Sequence, residues 1–219
     1  MSKENLSESA HFRMLRLFIS LNRIQDEGAS PRYTSGELAE LIGSSAELIR
    51  KDLNILGCRA DGRGYKALSL QNGLREKLYL MKNLRAGMAG LDSWGSILIR
   101  ESEGFQGIRI CAAFDGSQNR LERTETRVAL YPSYEIREVF EREKIRIGIL
   151  ASETALPEKN MMRMLEGGAK GIINLTSCPL IVPEEIFYYQ ADLSLGFYSM
   201  ASRINGSEHK NPVEPEQRK

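Results

Sequence analysis

The sequence predicts an α/β chain in two parts: a small helical domain with a β-turn wing, then a parallel sheet wound with helices. Three observations carry that expectation. Two helical patterns flank a break at Gly43 and Ser44. A Gly-rich turn and a short alternating strand follow, within 57–70. Beyond residue 108, apolar strand-like runs alternate with helical ones, the pattern of a parallel sheet with right-handed crossovers.

The stretch 35–56, SGELAELIGSSAELIRKDLNIL, carries the first pattern. Leu38, Ala39 and Ile42 recur at helical spacing, and so do Leu48, Ile49, Leu53 and Leu56. Ala39 suits a close helix crossing, Gly43 a turn, and Ile49 a lock on the second helix, as in a helix-turn-helix. Thr34 or Ser35 caps the first helix and Ser44 or Ser45 the second, with Glu47 near the positive end of its dipole. The outward positions Ser45, Ala46, Glu47, Arg50, Lys51 and Asn54 are those a DNA major groove would meet. A helical hairpin packed in a core shows the same periodicity, so the next segment decides. Gly57 ends the second helix, CRADGRGYKALSL offers a tight turn, and a short strand is expected over 65–70. Two helices followed by a turn with basic tips is the order of a winged helix. Between Arg50 and Lys66 five cations face Asp52 and Asp61, a local balance of +3, placed where phosphates would lie. Arg59 and Arg63 stand on the wing.

The 219 residues, 42% hydrophobic with net charge +1, allow one large core or two small ones and exclude a generally polycationic protein. Cys58, Cys111 and Cys178 are far apart and form no Cys-x-x-Cys pair, which fits a reducing cytoplasm and offers zinc no cluster. No apolar run approaches the ~18 residues of a membrane span, so a soluble, cytoplasmic chain is expected. The expected layout is a winged-helix domain over 1–72, with its first helix at 10–24 and a loop at 28–32. A linker helix at 73–82, a nucleotide-binding sheet domain at 83–190, a last helix at 191–204 and a disordered tail at 205–219 complete it. Strands are expected at 108–114, 128–131, 146–151, 171–175 and 186–190, with helices at 133–143 and 157–166.

A nucleotide-binding sheet of the Rossmann type needs a Gly-rich turn after its first strand, so that backbone can approach a pyrophosphate. The best register is Gly90-Leu91-Asp92-Ser93-Trp94-Gly95, the dinucleotide fingerprint with Asp92 at the second glycine. A second register through Gly87 and Ala89 misplaces the third glycine. Arg85 and Gly87 interrupt the strand expected before the turn. Asp115, twenty residues beyond Gly95, stands where a ribose-binding acid belongs. The Asp92 carboxylate would repel a pyrophosphate, so the loop is either a weakened dinucleotide site or a structural turn inherited from one. The cleft offers no His, Lys-Tyr pair or metal cluster for catalysis, and no enzyme is expected.

From about residue 10 to 204 the chain resembles the Rex family of redox-sensing transcriptional repressors, dimers with an N-terminal winged helix and a C-terminal Rossmann domain. The likeness rests on SGELAELIGSSAELIRKDLNILG, on Gly64-Tyr65, on AAFD at 112–115, and on GAKGIINLTSCPLIVPEEI followed by Asp192-Leu193. The resemblance implies a homodimer on an inverted-repeat DNA operator, released when NADH replaces NAD+, and a last helix swapped between subunits. It assigns Gly90, Asp92, Ser93, Trp94, Gly95, Asp115 and Asp192 to the NAD(H) site. Arg13 and Asp192 match two members of the family's switching network, whereas its Tyr position falls near Glu101 and is lost. The wing lacks the family's Lys-Arg-Gly run, reading Ala60-Asp61-Gly62, and the loop after the fourth strand of the sheet reads Ser152-Glu153-Thr154 in place of Val-Pro-Ala.

Overall fold

Thr34 and Glu37 start the helix-turn-helix with a reciprocal cap: the Thr34 hydroxyl accepts the Glu37 amide at 3.2 Å and the Glu37 carboxylate accepts the Thr34 amide at 2.6 Å. The computed structural model describes residues 6–24, 31–80, 84–101, 108–153 and 156–210. The chain divides into two compact units, Met1–Lys82 and Asn83–Lys219.

In the first unit, α1 (Glu8–Arg23), β1 (Arg32–Tyr33), α2 (Ser35–Ile42), α3 (Ala46–Ile55), β2 (Tyr65–Lys66) and α4 (Ala67–Lys77) follow in order. Gly43 closes α2 at φ 63°, a left-handed turn that glycine adopts without strain, and Ser45 caps α3 by accepting the Leu48 amide at 3.3 Å. Met14, Leu17 and Leu21 of α1 pack with Leu38 and Ile42 of α2, Ile49 and Leu53 of α3, and Leu70 and Leu74 of α4.

Four local expectations change here. The strand expected over 65–70 is only Tyr65–Lys66, and the helix expected to start in the seventies starts at Ala67. Ala67, Leu70, Leu74 and Leu78 recur every three or four residues and are buried, so helix packing overrides the short alternation. Arg32, expected in a loop, pairs with Lys66 in an antiparallel ladder. Leu48, expected inward, is 40% exposed on α3. The loop residues 28–30 lie outside the described residues.

The second unit contains β3 (Leu84–Ala89), α5 (Ser93–Arg100), β4 (Ile108–Asp115), α6 (Gln118–Arg123) and β5 (Ala129–Pro132). A 3-10 turn at Ser133–Glu135 leads into α7 (Ile136–Arg142). Then come β6 (Ile147–Leu150), α8 (Pro157–Glu166), β7 (Gly171–Asn174), β8 (Phe187–Gln190) and α9 (Leu193–Lys210). All strand pairs are parallel and the order is β5-β4-β3-β6-β7-β8. That is the doubly wound Rossmann order, with the switch point between β3 and β6. Gly87, read as an interruption, is a packing requirement: a Cβ there would stand 2.5 Å from the Phe140 ring. α9 runs past 204 to residue 210, so the start of the expected tail is helical, and residues 211–219 lie outside the described residues. Leu193, Leu195, Phe197 and Met200 on it are all more than half exposed.

Candidate nucleic-acid interface and nucleotide cleft

α3 presents Ser45, Glu47, Arg50, Lys51 and Asn54 to solvent, with Ala46 half-buried beside them. Arg50 is braced across the turn, its Nη1 donating to Ser35 Oγ at 2.8 Å. From below, Arg13 of α1 holds Asp52 of α3, with Nε and Nη2 each 2.7 Å from Oδ2, so the inner face of α3 is fixed by a buried ion pair. In the wing, the Asp61 amide donates to Gly64 O at 3.2 Å, and Asp61 Oδ1 accepts the Arg63 amide at 3.3 Å. The same oxygen takes the Arg32 guanidinium at 2.5 Å, which holds the Asp61 carboxyl below the usual carboxylate range. Asp61 therefore spends its charge on Arg32 and on the turn, and Arg59 and Arg63 remain exposed at the tip.

At the C-terminal ends of β3 and β4 the glycine turn takes the first register. Gly90 has φ 103°, its amide donates to Phe114 O at 2.8 Å, and a Cβ on it would meet Ser152 Cβ at 2.4 Å. A Cβ at Gly95 would lie 1.8 Å from the Gly90 carbonyl oxygen. No side chain fits there, so the α5 helix closes directly onto the turn, as the third glycine of a dinucleotide fingerprint requires. Asp92 sits in extended backbone at φ −94° and ψ 176°, which any residue adopts, directly before Ser93 opens α5. Trp94 is 47% exposed on the first turn. Asp115 is fully buried at the end of β4. Its Oδ2 accepts the Leu91 amide at 2.9 Å and Arg120 Nε at 3.0 Å, and its Oδ1 accepts the Ser117 amide at 2.7 Å and Arg120 Nη2 at 2.9 Å. The Arg120 guanidinium is held above its ordinary pKa chiefly by that Asp115 bond, with the Asp92 carboxylate adding in the same sense. The acid expected to bind ribose thus also ties the glycine turn to an arginine.

No family model matches the chain. It is 25% identical over 194 residues to redox-sensing transcriptional repressor Rex 1 of Enterococcus faecalis, covering 88% of this chain and 90% of that protein. It is 29% identical over 173 residues to redox-sensing transcriptional repressor Rex of Pelotomaculum thermopropionicum, covering 78% and 81%. The crystal structure of RSP, a Rex-family repressor, in complex with beta-NAD+ and operator DNA matches with a TM-score of 0.79 and 27% identity, over 98% of this chain and 99% of that one. Over most of its length the chain is similar to Rex-family redox-sensing repressors.

The residues expected at the NAD(H) site do not all converge. Gly90, Asp92, Ser93, Trp94, Gly95 and Asp115 gather at β3 and β4, but Asp192 lies beyond β8, the far edge strand. There it is exposed and accepts the Ser194 amide at 2.8 Å. Arg13, its expected network partner, is bonded to Asp52 inside the first unit. Glu153, just past β6, accepts the Ser177 amide at 3.1 Å and the Ser177 hydroxyl, and these bonds hold its carboxyl below the usual range. Arg120 was missed because α6 is a six-residue helix with no buried residue and hence no periodic signal. The trace available was an arginine five residues after the strand-ending acid. Among the described residues no helix is long and apolar enough to cross a membrane, and no cluster of His, Cys, Asp and Glu could hold a metal.

Proposed function

We propose that this chain is a dimeric transcriptional repressor that binds an inverted-repeat operator through α3 and the wing, and whose affinity for it falls when NADH replaces NAD+ in the cleft. The observation that carries the reading is the 1.8 Å approach of a Gly95 Cβ to the Gly90 carbonyl, on a chain whose other unit exposes Arg50 and Lys51. A turn this tight at the switch-point edge of a doubly wound sheet is built to bring backbone amides to a pyrophosphate. Support comes also from the relatives, named as redox-sensing repressors, and from RSP structures holding beta-NAD+ with operator DNA and beta-NADH. The role is regulatory rather than catalytic, in a cytoplasmic setting. Arg59 and Arg63 contact the backbone or minor groove, and α9 pairs with a second copy.

A second reading is favoured by Asp92, an acid at the second-glycine position of the fingerprint: a Rex-like DNA-binding regulator that no longer senses NADH. One experiment separates them. Duplexes selected by the full-length protein from a randomised inverted-repeat pool are titrated by anisotropy with NADH and with NAD+. Release by NADH and not by NAD+ supports the sensor; tight DNA binding indifferent to both supports the second reading. Failure to select any duplex overturns both.

A further inference from the structure

The two halves of the nucleotide cleft differ in charge. Arg120, Lys159 and Arg163 line the cavity beyond Asp115, on the β4 side. The other half, over the C-terminal ends of β6 and β7, is bordered by residues 151–156 and 175–182, and Glu153 is the single charged side chain in those two stretches. Glu153 emerges beside the glycine turn. The Ala151 amide donates to Ala89 O at 2.9 Å, which carries β6 along the end of β3. Ser152 is buried, and its Cβ lies 2.4 Å from where a Cβ on Gly90 would stand. The next residue, Glu153, is exposed at the rim. Its carboxylate is nevertheless pinned, because Oε1 accepts both the Ser177 amide, at 3.1 Å, and the Ser177 hydroxyl. The loop that carries Ser177 is anchored in turn by buried Asn174, which accepts the Thr176 amide at 3.0 Å and hydroxyl at 2.7 Å and donates to the Cys178 carbonyl at 2.9 Å. Glu153 thus staples the loops after β6 and β7. Both Ser177 bonds favour the ionised carboxyl, so the staple is a fixed anion.

Position determines what this anion would meet. In a doubly wound sheet a dinucleotide lies across the switch point, with its pyrophosphate at the glycine turn and one mononucleotide over each half. Asp115 marks the adenosine half, which leaves the nicotinamide half to β6 and β7, where Glu153 is held. The nicotinamide ring of NAD+ carries a positive charge and that of NADH carries none. We propose that Glu153 biases the cleft toward the oxidised dinucleotide, and so raises the NADH/NAD+ ratio at which the operator is released. The proposal rests on the dinucleotide-sensing reading above and adds the residue that sets its threshold. The carboxylate also acts on the pyrophosphate, but NAD+ and NADH share that group, so the effect cancels from their ratio.

The test compares the full-length protein with Glu153→Gln, which keeps an acceptor for Ser177 and removes only the charge. Calorimetry with NAD+ and NADH gives the ratio of their dissociation constants. An exposed carboxylate is screened by water and salt, so the change should shift that ratio toward NADH on the order of threefold to tenfold. ADP-ribose, which lacks the nicotinamide ring, should respond to the substitution as NADH does. In anisotropy on a selected operator duplex, the NADH/NAD+ ratio at half release should fall by the same factor. Both dinucleotides binding with an unchanged ratio, or with a shift toward NAD+, overturns this inference and leaves the proposed function standing. An ADP-ribose response that follows NAD+ instead places the effect on the pyrophosphate and overturns the inference as well. Binding of neither dinucleotide overturns the sensing reading and this inference with it.

Discussion

Arg13 and Asp52 form an ion pair between α1 and α3, with two guanidinium nitrogens 2.7 Å from one carboxylate oxygen and the Asp52 side chain only 3% exposed. Arg13 itself is 19% exposed, so the pair is largely out of water. Removing one partner of a buried pair leaves the other charge uncompensated, at a cost of about 3–5 kcal/mol. Arg13→Ala should therefore lower the stability of the winged-helix unit by that order in denaturant unfolding, and loosen α3 with it. Arg13→Met combined with Asp52→Leu should recover most of the loss. Wild-type stability in the single variant would show that Asp52 is not held by Arg13.

Arg50 and Lys51 lie exposed on the outer face of α3, and Arg50 is already positioned by Ser35. If Arg50 reads a base edge, Arg50→Ala should weaken operator binding by roughly 1–3 kcal/mol and relax sequence preference at one position. Lys51→Ala, at a phosphate, should weaken all sequences alike and reduce the salt dependence. Operator affinity unchanged in both variants would remove α3 from the DNA interface.

Asp92 is expected to weaken dinucleotide binding, and Arg120 moderates the effect. A bare like-charge pair ~4 Å apart costs on the order of 4 kcal/mol at an effective dielectric near 20. The Arg120 guanidinium, which the Asp92 carboxylate reaches electrostatically, offsets part of that cost. Asp92 makes no side-chain cap to α5, so glycine there loses little helix stability. Asp92→Gly should tighten NADH binding on the order of tenfold to a hundredfold in calorimetry. Tight NADH binding by the unaltered protein, with no gain in the variant, would show that the carboxylate does not oppose the pyrophosphate.

The face of α9 bearing Leu193, Phe197 and Met200 is 65%, 75% and 59% exposed at those residues. So much contiguous apolar surface is the mark of an interface rather than of a free helix. Truncation after Gln190 should convert a dimer into monomers or aggregates in sedimentation equilibrium. A stable, soluble dimer from that truncation would show that α9 is dispensable for assembly.

Much of this was legible in the residues, for identifiable reasons. Thr34, Gly43 and Ser45 are local signals whose capping and turn chemistry acts within a few residues, and each sits where its chemistry places it. Gly90 and Gly95 are legible for the same reason, since each answers a steric demand of the turn itself. The start of α4 was not legible, because 65–70 satisfies both a strand alternation and a helical repeat, and only burial of Leu70 and Leu74 against α1 separates them. Gly87 was misread because its reason, the Phe140 ring, is supplied from 53 residues away in the chain.

By itself the sequence determined the two-part α/β architecture, the helix-turn-helix and the glycine turn, because periodicity, caps and turn glycines encode local structure directly. The tertiary structure alone decided the charge relationships: Arg13 to Asp52 across 39 residues, Arg32 to Asp61 across 29, and the meeting of Asp115 and Arg120 with Lys159 and Arg163 around one cavity. A side-chain charge carries no label for its partner in the sequence, and which cation meets which carboxylate follows only once helices and strands have been packed together.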